Sequence, residues 1–243
     1  FAGLGTTVRL PDAQERYFNH RRMGADWVGN PALRPTRNTE ANAGLTYRRR
    51  GFYLKPLLFL SALDHYIAVH NQARLTARPG VTNTMARSYA GVDARMYGGE
   101  VSLGLPLATR WLVSGGVSYI RGSKDAQPAL AIFSTNLPEI PPVKARTALR
   151  YGTRTWFAEA EGVAASAQRR TDTDLGETPT AGYAIGNVKF GVHLKRLTAT
   201  VGVDNVFDRY YREHLSFQRD PFRTGFRVPE PGRNLFVSVG YGF

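Results

Sequence analysis

Ten segments in which apolar and polar residues alternate run along this chain, and the connections between them are by turns short and long. A period of two belongs to β-strands, whose successive side chains point to opposite faces. The segments are read at about 1–8, 39–49, 52–69, 88–104, 110–121, 143–151, 154–167, 183–193, 196–207 and 234–243. The short connections are Arg49-Arg50-Gly51, Pro106–Thr109, Gly152-Thr153 and Leu194-Lys195, and the long ones are 9–38, 70–87, 122–142, 168–182 and 208–233. Short turns at one end and long loops at the other are the pattern of an outer-membrane barrel. The last segment is the most explicit. Leu235, Val237, Val239, Tyr241 and Phe243 share one face, while Phe236, Ser238, Gly240 and Gly242 share the other. Water would penalise so apolar a face, whereas lipid would cover it. The expected fold class is therefore all-β: a transmembrane antiparallel up-and-down β-barrel wall of about ten strands. The competing soluble sandwich also alternates, but strand length and loop alternation weigh against it.

Bulk composition agrees once the barrel is considered. Mean hydropathy is −0.31 and no long apolar run occurs, which a wall alternating lipid-facing and lumen-facing residues produces. With no cysteine, disulfides and thiolate metal sites are excluded. The 32 Lys+Arg against 19 Asp+Glu invite a nucleic-acid reading. The 12% aromatic content, 25 glycines and the lack of a basic helix or zinc-ligand spacing oppose it, and no nucleic-acid partner is expected. The cations fall largely in segments read as loops, which predicts either a solvated rim or a surface for lipopolysaccharide phosphates or an anionic ligand.

Three hairpins test the division of faces. Around Pro106–Thr109, Trp111, Val113, Val117 and Tyr119 share a face with Leu105, Leu103, Val101 and Tyr97, opposite Glu100, Ser102, Ser114 and Ser118. Around Gly152-Thr153, the tightest turn sets Leu149 against Trp156 outside, and Arg146 against Glu159 and Lys144 against Glu161 inside. Around Leu194-Lys195, Val188, Phe190 and Val192 align with Val201, Ala199 and Leu197, leaving Asn187, Lys189, Thr198, Thr200 and Asp204 inside. Opposite charges across a strand pair support a register.

Four stretches then resemble the C-terminal barrel of a TonB-dependent outer-membrane receptor. They are Val8-Arg-Leu-Pro-Asp-Ala-Gln-Glu-Arg-Tyr17; Gly29-Asn-Pro-Ala-Leu-Arg-Pro-Thr-Arg-Asn38 with Glu40 and Gly44-Leu-Thr-Tyr47; Gly202-Val-Asp-Asn-Val-Phe-Asp208; and Pro231-Gly-Arg-Asn234. Thr36 departs from the family, which usually has Glu there. Within the family, Tyr211-Arg-Glu-His-Leu215 with Glu230-Pro-Gly-Arg233, and Val92-Asp-Ala-Arg-Met-Tyr-Gly-Gly-Glu100, resemble the copper-receptor branch. The resemblance implies an outer-membrane receptor of a Gram-negative bacterium taking up a scarce nutrient, a metal ion such as copper or a metal–siderophore complex. The alternative is a passive porin-like or structural barrel. It also implies that residues 1–243 are the C-terminal part of a barrel of about 22 strands, without the plug domain. Expected partners are outer-membrane lipid and lipopolysaccharide, the TonB energy-coupling system through an N-terminal part, and the barrel-assembly machinery, for which Tyr241 and Phe243 resemble the recognition signal. No cofactor is expected, and the activity is not enzymatic.

No phosphate-cradling loop, catalytic triad or carboxylate pair stands out, and no metal site is assigned. His65 and His70 are five apart, so a regular strand puts them on opposite faces unless a bulge intervenes. Candidate ligand contacts are Met96 and Glu100 on the lumen face of one strand, and Arg212, Glu213 and His214 in a long loop.

Overall fold

The computed structural model describes residues 1–20, 27–70, 86–220 and 223–242. Ten strands form one antiparallel sheet in sequence order: β1 (Ala2–Arg9), β2 (Thr36–Gly44), β3 (Phe52–His70), β4 (Ser88–Ala108), β5 (Trp111–Lys124), β6 (Lys144–Gly152), β7 (Trp156–Ala165), β8 (Tyr183–Leu194), β9 (Leu197–Asp204) and β10 (Asn234–Tyr241). A three-residue strand, Tyr47–Arg49, also pairs with β3. This is the up-and-down antiparallel wall of a transmembrane β-barrel. Among the described residues, helix is confined to the five-residue α1 (Ala13–Tyr17), closed by a capping box between Asp12 and Glu15, and to three short 3-10 turns.

The outer face is bare and apolar. Leu4, Leu58, Leu60, Phe190, Val201, Leu235, Val237 and Val239 are all exposed, and no described residue covers them. At the short-turn end an aromatic row crosses three strand pairs. Trp111 meets Tyr151 with centroids 5.0 Å apart, Tyr151 meets Trp156 at 5.1 Å, and Trp156 meets Phe190 at 5.9 Å. Tyr97 and Tyr119 pack edge to face at 6.4 Å farther up. Aromatics at two heights flank the band that lipid would occupy.

The inner face uses a second device. Four aromatic side chains lie on the glycine directly opposite: Tyr53 on Gly104, Phe59 on Gly98, Phe157 on Gly191 and Phe236 on Gly202. A Cβ on Gly104, Gly191 or Gly202 would come within 2.1–2.4 Å of the ring carbons, so only glycine fits.

Two hairpin registers differ from the sequence expectation, each by an even number. Leu149 pairs with Ala160 rather than Trp156, and Arg146 with Val163 rather than Glu159. The reason is the turn. Thr153 Oγ1 accepts from the amides of Thr155 and Trp156, and Thr153 N donates to Trp156 O at 2.8 Å, making a three-residue connection. The expected opposition of Lys144 and Glu161 is absent. Lys144 lies opposite Ala165 and reaches Glu213 instead. Val188 pairs with Val203 rather than Val201, because the β8–β9 turn sits on Lys195-Arg196, with Lys195 in the left-handed region at φ 50°. An even slip returns every side chain to its original face, so the apolar-out, polar-in division stands in all three hairpins.

The motif segments act as joints at the loop end. Gly29 lies so close to the backbone of Arg16 and Tyr17 that a Cβ would sit 2.6–2.8 Å from it. Asn30 ties this loop down, donating through Nδ2 to Tyr89 O at 3.0 Å and accepting at Oδ1 from Ala32 N. Thr36, the departure noted above, is buried and donates its hydroxyl to His65 O at 2.8 Å. That carbonyl belongs to a bulge between Leu63 and Tyr66, where His65 takes φ 56°. Asn205, 2% exposed, accepts from Arg209 N and donates to Arg209 O. Asp208 accepts from Arg233 N at 2.8 Å. The segments 202–208 and 231–234 therefore close on each other.

Candidate functional site

The inner face carries the charge. Arg150, Glu159 and Lys189 stand in one row across β6, β7 and β8, with Glu159 3.4 Å from Arg150 and 3.7 Å from Lys189. Arg146 pairs diagonally with Glu161, which also accepts from Asn187 Nδ2 at 2.8 Å. Glu100 lies opposite Ser118, exposed on the same trough. Each of these pairs keeps one partner at least 29% exposed, so the trough is a wet, mixed-charge surface.

At the loop end the same face is roofed by three long connections that grip one another through buried polar groups. Lys124, the last residue of β5, meets Asp172 at 2.5 Å, and both side chains are fully buried. Asp174 Oδ2 accepts from the amides of Phe133 and Ser134. Glu177 accepts from Asp172 N at 2.8 Å and Glu139 N at 3.0 Å, and faces His214 Nε2 at 3.1 Å. His214 Nδ1 lies 2.8 Å from Thr180 Oγ1, and Arg227 reaches both Thr178 and His214. Segments 125–143, 166–182 and 205–233 are thereby tied into one lattice. Glu213 leans over the trough, where inward-facing Lys144 at 2.8 Å and Tyr183 at 2.5 Å hold it.

Burial and hydrogen bonding set these carboxylates apart. Burial raises the Asp172 carboxyl above its ordinary range, more than the Lys124 ammonium draws it down. For Glu177 burial also pushes up, but His214 and the amides of Asp172 and Glu139 outweigh it, so this carboxyl sits below the usual range. Glu213 is likewise lowered, with Lys144 and Tyr183 overcoming its burial.

The expected contacts divide. Glu213 and His214 meet in the lattice. Arg212 turns outward, donating to Tyr210 Oη at 2.7 Å. Met96 reaches the lattice indirectly, packed against Ala94, Leu137 and Ile140, while Glu100 stays lower in the trough. The bulge that could reunite His65 and His70 is present, yet among the described residues no three histidine or carboxylate side chains gather as a metal would need. Tyr241 is 59% exposed on the outer face, and Phe243 lies outside the described residues. Lys124, Asp172 and Glu177 were not anticipated. The Asp172-Thr-Asp-Leu-Gly176 turn was the visible signal, with Asp172 accepting from Asp174 N and Gly176 at φ 68°.

Residues 1–206 match the family described as TonB dependent receptor-like, beta-barrel. Over 140 residues the chain is 29% identical to the TonB-dependent heme receptor A of Haemophilus influenzae, covering 52% of this chain and 18% of that one. The solved copper transporter OprC aligns with all of this chain and 36% of its own, at TM-score 0.80 and 25% identity. A ferric enterobactin receptor of Pseudomonas aeruginosa aligns with all of this chain and 38% of its own, at TM-score 0.72 and 18% identity. The chain thus spans well under half the length of each of these relatives.

Proposed function

The chain belongs to the TonB-dependent receptor-like β-barrel family, and on that premise we propose that it forms part of an outer-membrane receptor for energy-coupled uptake of a scarce nutrient. Family members are transport receptors rather than enzymes, and relatives carry names for copper, siderophore and heme transport. The observation that carries the reading is one continuous sheet with a bare apolar exterior, a charged interior, and three interlocked loops roofing that interior at one end. A passive pore needs the first two; a fixed roof over the charged trough suits a receptor that captures its ligand before passage. In this reading the long loops face the exterior, the short turns the periplasm, and TonB and the plug act through other parts of the gene product. Tyr241 and Phe243 serve the assembly machinery.

For the cargo we favour a metal ion such as copper, on the 25% identity to the copper transporter along the whole chain and the Met96–Glu100 and Arg212–His214 stretches. The second reading is a metal chelate. Its support is the heme-receptor relative and the cationic Lys144, Arg146 and Lys189 of the trough, which suit an anionic ligand. Cells with and without the complete gene, starved in turn for copper, ferric siderophore and heme, decide between them. A gene-dependent, TonB-dependent rise in cell-associated copper is expected. Uptake of any of these that persists without TonB would return the chain to the passive alternative.

A further inference from the structure

The chain's excess of positive charge is not spread as its composition suggested. The four short connections, 45–51, 109–110, 153–155 and 195–196, hold Arg48-Arg49-Arg50, Arg110, Arg154 and Lys195-Arg196, seven cations and no carboxylate. The long connections, 10–35, 71–87, 125–143, 166–182 and 205–233, hold fifteen cations and twelve carboxylates, close to balance. All seven cations are exposed. Arg50, Arg110, Arg154, Lys195 and Arg196 occupy four successive turns along one sheet end, Arg48 and Arg49 lie in the short strand leading into the first of them, with Arg48 opposite the inward-facing Tyr53, and neighbouring hairpins are fastened there. Gly152 N donates to Arg110 O at 2.9 Å, and His193 N to Thr155 O at 2.7 Å. The aromatic row from Trp111 to Phe190 lies on the lipid side of the same end, and Arg110 donates to Tyr151 Oη at 3.2 Å. A ring of cations just beyond interfacial aromatics stands at headgroup depth.

We propose that this rim binds the phosphate headgroups of anionic phospholipids in the periplasmic leaflet, fixing the height of the barrel in the membrane from its turn end. The basic rim first expected to face lipopolysaccharide is thereby moved to the opposite side. Lipid is favoured over a periplasmic polyanion because the cations follow the perimeter next to the aromatic row and have no acidic neighbours in the turns to define a more specific site. The proposal rests on the orientation adopted above, and the test separates the two. This sequence has no cysteine, so Thr109→Cys, in a complete receptor free of other cysteines, reports which side the turns face. A membrane-impermeant maleimide is expected to label it only after the outer membrane is permeabilised. Labelling of intact cells overturns both the orientation and the lipid assignment.

With the orientation confirmed, the complete receptor is purified in mild detergent and titrated with phosphatidylglycerol or with phosphatidylcholine, and bound lipid is counted by native mass spectrometry. Preferential retention of phosphatidylglycerol is expected. It should fall roughly tenfold or more when Arg48, Arg49 and Arg50 are all changed to Gln, and remain when they are changed to Lys. Heat-modifiable migration confirms that each variant is folded. Equal retention of both lipids, or a preference that survives removal of all seven cations, overturns the proposal while leaving the receptor reading intact. Cosedimentation with purified peptidoglycan that needs these cations, without a lipid preference, overturns it in favour of a polyanionic polymer.

Discussion

Asp172 at the loop end and Glu159 in the trough each face a basic side chain, yet their surroundings differ completely. Asp172 and Lys124 are sealed from water, whereas Glu159 shares Arg150 and Lys189, which are 40% and 29% exposed. Coulomb attraction at a few ångströms is strong in a dry interior and weak beside water. Desolvation is correspondingly heavy for the buried pair. The two regions therefore respond oppositely to the loss of one partner. In the lattice the survivor is stranded; in the trough it is hydrated.

The largest expected effect follows from stranding Asp172. Lys124→Met should destabilise the loop end by about 3–5 kcal/mol, read as faster limited proteolysis of the segments 125–143 and 166–182. Adding Asp172→Leu should return most of that loss, because the carboxylate stranded by loss of its partner is gone; if the double variant is no better than the single, the comparison breaks. The outer face offers a second standard. Val237→Arg, on the lipid side of β10, should cost about 2–4 kcal/mol if it lies near the bilayer midplane, measured by denaturant unfolding in lipid.

Glu177→Gln is expected to cost about 1–3 kcal/mol and to change the response to acid. The folded pKa of Glu177 lies below its unfolded value of roughly 4.3. Its contribution is whole above that value and is lost as the pH falls toward the folded pKa. The glutamine variant should therefore lose less stability than the parent on acidification below about pH 4. Asp172 acts in the opposite sense, its raised carboxyl opposing folding increasingly as pH rises past its unfolded value, so the difference between parent and variant isolates Glu177. Smallest of all, Arg150→Gln in the trough should cost about 0.2–1 kcal/mol, and less in high salt. A loss of several kcal/mol there would mean that the trough is drier than its exposure indicates.

What could be read in advance tracks the range of the interaction. Ten strands and their two faces were legible because alternation is local: Val237 and Val239 announce their side without knowledge of any partner. The turn residues mattered next, and there the reading slipped, since Thr153 binding its own hairpin was not visible in the pattern. Glu213 and His214 were singled out because they sit inside a recognisable stretch. Lys124 and Asp172 were not, because 48 residues separate them and no period spans a loop. Met96 and Glu100 were correctly assigned to one face, but the packing of Leu137 and Ile140 that separates their roles comes from a distant segment.

The glycine–aromatic contacts lie in β3–β4, β7–β8 and β9–β10, the pairs joined by long loops rather than by the two turns that moved the other registers. Displacement by two or four residues leaves every side chain on its proper side, so lipid and water cannot detect the error. The rings can. With β10 shifted by two, Phe236 would meet Thr200 or Asp204 instead of Gly202, and the ring would strike a side chain where it now lies over bare backbone. Tyr53, Phe59, Phe157 and Phe236 thus work as keys cut for single notches, each letting its strand pair close at one setting. A membrane can choose which way a strand faces; where no short turn sets the register, a key of this kind can choose how far along its neighbour it stops.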